Sequence, residues 1–301
     1  MPSWPARPDP SATNRLYTDP FSLRFALPTR FNGVKLARSA DTRPLPGDAS
    51  GCHSRYPLFF EVRGISTGDA LGVLNATMTG IHLASDTWIT AGASAYSSRR
   101  SSHVIPATKR SLITEGWGHS TGAHLDRRAL LFAGQHGPRI YGLMYNETFN
   151  RLANAVRLYE SALLLTPSDV AVVVFVSVLE GLFSSATQEL ALRLALAVSN
   201  YLERAPERRR LVFDEVKTLY TARSKIVHGD KLHRNEEKAA FLCEDYVGRA
   251  ETLARRCIHK VFLDRLDKFI ETSKRLDEFF TLLALGYSLD TALVKAGGAR
   301  G

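Results

Sequence analysis

Three cysteines in 301 residues, Cys52, Cys243 and Cys257, are odd in number and show no metal-ligand spacing. That excludes a disulfide framework and a zinc site, and the three read as free thiols of a reducing compartment. An apolar leader is also missing. The opening Met-Pro-Ser-Trp-Pro-Ala-Arg-Pro-Asp-Pro has no hydrophobic core, so no secretory signal is expected. No apolar run reaches bilayer length either, since the longest, Val170 to Phe183, is broken by Glu180. The expected location is the cytoplasm, with no membrane partner. Cofactor motifs are absent. Gly116-Trp-Gly118 and Gly134-Gln-His-Gly137 read as turn signals, and His53, His82, His103, His119, His124 and His136 lack metal spacing. No metal and no cofactor is expected.

What the chain does carry is positive charge, with a formal surplus of +9. Residues 1–149 hold 16 Lys and Arg against 10 Asp and Glu, and residues 150–301 hold 23 against 20. Such a balance favours a polyanionic partner, nucleic acid above all. A hydrophobic content of 45% with 23% charged residues describes a globular protein long enough for one large domain or two ordinary ones.

Texture divides the chain. Residues 1–20, with four prolines by position 10, are expected to form a flexible arm. Residues 21–145 read as a β-rich domain of unassigned role. Leu58, Phe60 and Val62 alternate with Phe59, Glu61 and Arg63, and Ile140, Gly142 and Met144 alternate with Tyr141, Leu143 and Tyr145. Gly64, Gly68, Gly72, Gly80 and Gly92 punctuate the stretch as turns. Residues 146–288 read as a helical bundle, and 289–301 as a loose tail. The expected fold class is therefore α+β.

Within the helical half, Thr166-Pro-Ser-Asp169 predicts a capped helix start before Val170–Phe183, although a buried strand is a rival reading of that valine-rich run. A helix over about 187–203 would pair Glu189 with Arg193. A loop is expected over 204–210, holding Arg208-Arg209-Arg210, then a helix over about 211–227 and another over 236–262. The most informative stretch is Tyr220-Thr-Ala-Arg223-Ser-Lys-Ile-Val-His228-Gly229. Arg223 continues the apolar stripe of Val212, Val216 and Leu219, so its guanidinium needs a partner. Glu180, the lone charge of its apolar run, needs one as well. His228 precedes Gly229, a residue suited to the left-handed position that ends a helix, where the dipole favours a protonated imidazole. A fixed cation beside a histidine suits chemistry on a phosphodiester. Five residues at about 100° each leave Arg223 and His228 about 140° apart on a continuous helix. Either the helix unwinds at Gly229 or a second copy completes the site. Ser224 lies one turn before His228, placed to orient the ring or meet a phosphate oxygen.

Three segments in order, Val178-Leu-Glu180-Gly-Leu-Phe183, Glu189-Leu-Ala-Leu-Arg193-Leu-Ala and Lys217-Thr-Leu-Tyr220-Thr-Ala-Arg223-Ser-Lys-Ile-Val-His228-Gly229, resemble the Apea-like branch of the HEPN domain family. The similarity covers about residues 150–285. It implies a bundle of four or five helices that pairs into a homodimer, with two Arg-x-x-x-x-His motifs facing each other to form one metal-independent RNA-cleaving site. It marks Arg223 and His228 as catalytic and Glu180 as the acidic residue of the preceding helix; Ser224 and Tyr220 are expected to support them. Ser224 stands where active relatives commonly carry Asn, Asp or His. It also implies a role in bacterial phage defence or stress. Residues 1–145 lie outside the resemblance and are expected to sense an unknown trigger, ligand or partner, or to position RNA.

The expected activity is thus endoribonucleolytic, leaving 2′,3′-cyclic phosphates. Arg208, Arg209, Arg210 and Lys225 are candidates to guide the RNA backbone, the arginine triplet having a solvated loop as its plain alternative. A non-catalytic HEPN-like dimerisation or RNA-binding module is the rival function.

Overall fold

The computed structural model describes residues 13–18, 34–38, 58–63, 67–85, 91–97, 102–106, 127–145, 150–165, 167–184, 189–272 and 275–297. In its strands, and at 67–71 and 271–272, the backbone alone is described. The chain forms two compact units, Met1–Asn146 and Glu147–Gly301.

The expected β-rich N-terminal domain, and with it the α+β assignment, is corrected by what the first unit contains. Its strands are short: β1 (Thr13–Thr18), β2 (Val34–Arg38), β3 (Leu58–Arg63), then β4 (Ala91–Ser97) and β5 (Ser102–Pro106), traced as backbone in the antiparallel order β2-β3-β1-β4-β5. β1 falls inside the stretch expected to be an arm. Two longer elements outweigh them, helix α1 (Thr67–Ala84) and helix α2 (Arg127–Tyr145). The residues whose side chains are described lie in the helices and at their ends or connections.

The misreading has a physical cause. The Ile140–Tyr145 alternation is local, whereas Ala129, Leu130, Phe132, Ala133, Gly137, Ile140 and Leu143 are buried at helical spacing, and that longer period wins. Pro138 is accommodated within α2. Gly72 and Gly80 are close-approach sites rather than turns. A Cβ on Gly80 would sit 2.9 Å from the Ala133 Cα, and one on Gly72 would sit 2.7 Å from the Tyr141 ring. Their bare backbones let α1 and α2 pack tightly. Thr77 and Thr79, buried in α1, satisfy their hydroxyls by donating to the Val73 and Asn75 carbonyls at 2.8 and 2.9 Å.

The second unit begins with α3 (Arg151–Ala162), capped by Asn150, whose side chain accepts from Ala153 N–H at 2.7 Å. Next comes α4 (Ser168–Phe183), so the buried-strand rival for the valine run is set aside. Pro167 precedes α4 without a side-chain cap, and Thr166 lies outside the described residues. α5 (Leu190–Leu202), α6 (Pro206–His228) and α7 (Glu236–Leu263) follow, then α8 (Asp267–Thr272), α9 (Leu276–Ala284) and α10 (Leu289–Lys295). The stretch expected to be a loose tail thus begins as a helix, capped by Ser288 and burying Ala292 and Leu293.

α4 is the hub of this unit. It packs against α3, α6 and α7, burying Val172, Phe175, Val176, Leu179 and Leu182. Phe183 extends the core to Phe280 and Tyr201, with ring centroids 4.9 and 5.5 Å away. The expected Glu189–Arg193 pair does not form among the described residues. Glu189 adopts a left-handed conformation (φ 54°) ahead of α5, and its carbonyl, not its carboxylate, meets the Arg193 N–H.

Candidate functional site

α6 carries most of the residues the sequence singles out. Pro206 sits at its first turn, and Gly229 ends it at φ 76°, ψ 14°. The Gly229 and Asp230 N–H groups donate to the Ile226 and Lys225 carbonyls at 3.1 and 2.8 Å, the paired closure of a Schellman motif. Val212, Val216, Leu219 and Ala222 are buried on the inner face. Arg223 follows one turn after Leu219 and turns inward too.

Arg223 meets Glu180 from α4, with Nη2 to Oε2 at 3.6 Å. That exceeds hydrogen-bond length, so the two attract without a directed bond. Both side chains are mostly enclosed, 27% and 22% exposed, so water screens the attraction only in part. Burial pushes the Glu180 carboxyl above its ordinary value, and the Arg223 charge opposes that rise. Arg223 Nε is buried with no hydrogen-bond partner among the described residues. The guanidinium lies 5.9 Å from the Tyr220 ring centroid, a cation–π distance. The result is a cation held in place with donor capacity left open.

His228 is the last residue of α6 and is exposed, with no hydrogen bond or ion pair among the described residues. The helix is unbroken through it, so the swing-back alternative is not seen. Arg223 faces inward and His228 leaves the helix about 140° away. Ser224 is half-buried and makes no hydrogen bond to His228.

The arginine triplet lies in the first turns of α6, correcting the expected loop. The three arginines differ in role. Arg209 is fully engaged, donating from Nε to the Glu203 carbonyl (3.1 Å), from Nη1 to Asn200 Oδ1 (3.1 Å) and from Nη2 to the Arg204 carbonyl (2.7 Å). It ties the end of α5 to the start of α6. Arg210 reaches Asp214 at 3.8 Å on the open surface, and Arg208 is exposed. Lys225 is exposed with no carboxylate partner among the described residues.

Two groupings escaped sequence reasoning. Glu251 is buried, its Oε1 accepting from the Tyr159 hydroxyl at 2.8 Å and from Arg255 Nε at 3.1 Å, which links α3 to α7. Burial raises the Glu251 carboxyl, and burial followed by the Glu251 charge raises the Tyr159 hydroxyl. The spacing Val247, Glu251, Arg255 on an apolar stripe was the available signal. The second grouping is a 270 Å³ cleft between α6 and α7, lined by Lys217, Thr218, Thr221, Ala222, Lys225, Leu232 and Tyr246. Its signal was the run Lys217, Thr221, Lys225, His228, each one turn after the last.

Cys243 and Cys257 are buried and unpaired. Burial pushes the Cys243 thiol up to about 11 and that of Cys257 further, so neither is a nucleophile near neutral pH. Among the described residues no helix is long and apolar enough to cross a membrane, and no three His, Cys, Asp or Glu side chains could jointly hold a metal ion. No family model matches the chain, and neither curated proteins nor solved structures supply a match.

Proposed function

We propose that the helical unit is a metal-independent endoribonuclease of HEPN type, acting through Arg223 and His228. One observation carries the reading. A single unbroken helix presents an enclosed arginine with unsatisfied donor capacity on one face and a free, exposed histidine on another. Set about 140° apart on one helix, the two side chains cannot easily meet one phosphate, so a second copy would complete the site, making a twofold dimer the catalytic unit. In that site the ribose 2′-hydroxyl attacks the adjacent phosphorus and the P–O5′ bond breaks, while the His228 imidazoles take the 2′-proton and protonate the leaving 5′-oxygen. Arg223 stabilises charge on the phosphate oxygens, and Glu180 holds the guanidinium in place. The products are a 2′,3′-cyclic phosphate and a 5′-hydroxyl. DNA lacks the attacking hydroxyl and survives.

RNA incubated with the full chain in EDTA tests the proposal. Cleavage with cyclic-phosphate ends is expected, and RNA left intact at every pH from 5 to 9 would sink it. One observation favours a second reading, a non-catalytic dimerisation or RNA-binding module: the Arg223–Glu180 pair also suits a purely structural arginine. That reading requires His228→Ala to leave every RNA-dependent property unchanged. The role in phage defence or stress, with the first unit receiving the trigger, is part of the proposal. It predicts that residues 147–301 expressed alone arrest bacterial growth more strongly than the full chain, and equal toxicity would count against it.

A further inference from the structure

The outward face of α6 has a chemistry of its own. Lys217, Thr221, Lys225 and His228 follow one another at intervals of four, four and three residues, the spacing that keeps side chains on one side of a helix. Lys217 and Lys225 are about 12 Å apart along the axis, too far to grip one phosphate and well placed for two. Both are exposed, and neither has a carboxylate partner among the described residues. Lys217 Nζ lies over the Phe213 ring at 5.5 Å, a contact that leaves its charge unneutralised. Three carboxylates near them are already engaged. Asp214 faces Arg210 at 3.8 Å, while Glu215 and Asp245 bind Arg249 at 3.1 and 3.0 Å. These three therefore do not neutralise the two ammoniums.

Between the lysines stand two hydroxyls with their protons committed. Thr218 Oγ1 donates to the Asp214 carbonyl and Thr221 Oγ1 to the Lys217 carbonyl, each at 2.9 Å. Their remaining lone pairs can only accept, which suits a donor such as a ribose 2′-hydroxyl. Tyr246, from α7, forms the other wall of the cleft. Its ring already carries the Arg249 guanidinium at 5.6 Å and offers an aromatic surface to a base. Ammoniums for phosphate, acceptors for the 2′-hydroxyl and a ring for a base are the three elements that single-stranded RNA engages.

We propose that this face is a single-stranded RNA track, in which Lys217 and Lys225 hold the backbone, Thr218 and Thr221 read the 2′-hydroxyl, and Tyr246 stacks a base, delivering the strand to His228. It deepens the ribonuclease reading and rests on it for what happens at the end of the track. The lysines and threonines are positioning residues, and binding measured apart from cleavage isolates their role.

Anisotropy of a labelled 12-mer RNA and the DNA of the same sequence, measured with the full chain across a salt series, is the test. K217A/K225A should weaken RNA binding about 20-fold at 0.1 M salt and make the logarithmic salt slope shallower by about 1.4, as expected for two lost phosphate contacts. K238A/K295A, an equal loss of exposed charge elsewhere, should change neither as much. T218V/T221V should abolish any preference for RNA over DNA. Equal behaviour of K217A/K225A and K238A/K295A overturns the track, as does a wild-type protein that binds neither strand. A wild type that binds as described without cleaving leaves the track standing and removes the nuclease reading. Cleavage with unchanged affinity in K217A/K225A does the reverse.

Discussion

The two faces of α6 obey different rules. On the inner face, Val212, Val216, Leu219 and Ala222 pack against neighbouring helices, and the one charge among them, Arg223, meets Glu180. On the outer face, Lys217, Lys225 and His228 touch little and keep their polar groups open to solvent. An inner residue is constrained by volume and by the need to compensate charge, so it is tied to stability. An outer residue is free of both and answers only to what it binds. The proposed chemistry takes one participant from each face. Its fixed cation is immobilised by the same contacts that build the fold, and its proton carrier stays accessible.

Separating activity from stability gives the sharpest break between the faces. His228→Ala and Arg223→Ala should each lower RNA cleavage by about 10²- to 10⁴-fold. Only Arg223→Ala should also lower the urea midpoint, because it strands Glu180. A His228→Ala protein that unfolds earlier than wild type would erase the distinction. The same contrast recurs at the start of α6 with smaller effects. Arg209→Ala loses three hydrogen bonds to the α5–α6 junction and should cost about 1–3 kcal/mol of stability by chemical denaturation. Arg208→Ala, exposed one residue earlier, should stay within about 0.5 kcal/mol.

The finest discrimination is in pH dependence. Because burial raises the Glu180 carboxyl above its ordinary 4.5, the folded state holds that proton more tightly than the unfolded chain does. The associated stability is fully present below pH 4.5 and is lost as pH climbs through the raised value. Glu180→Gln has no such proton to lose. Plotted against pH, the stability of wild type relative to Glu180→Gln should fall above 4.5 and then level off. A difference that rises with pH would mean that Arg223 outweighs burial, making the pair a stronger ion pair than its 3.6 Å separation implies.

The legible parts of the molecule were those written in short, one-dimensional signals. The Arg223 stripe, the stop at Gly229 and the helices over Val170–Phe183 and about 236–262 follow from spacing along one element. Features set by a neighbour were hidden. Gly72 and Gly80 read as turns in the sequence because a glycine's meaning depends on what approaches it, here Tyr141 and Ala133 from a helix far along the chain. Arg209 looks like its two solvated neighbours in the sequence because its three acceptors come from α5 and the connection after it. Glu251 hid in the same way, since its partner Tyr159 lies 92 residues away. The cleft beside Lys217 needed both α6 and α7 in place before Tyr246 could form its wall.

Gly229 also governs the timing of the motif helix. A Cβ there would meet nothing within 4 Å, so space does not exclude a side chain; only the backbone angle of 76° does. A residue reluctant to hold that angle would leave the last turn to fray on the nanosecond-to-microsecond scale of chain ends. His228 would then sample a spread of directions in place of one. The Gly229 and Asp230 amides, which close the turn onto Ile226 and Lys225, are the natural reporters of that motion by hydrogen exchange. Slow exchange at both marks a last turn that stays closed beneath His228, and Gly229→Val should speed exchange at both while leaving amides in the middle of α6 unchanged.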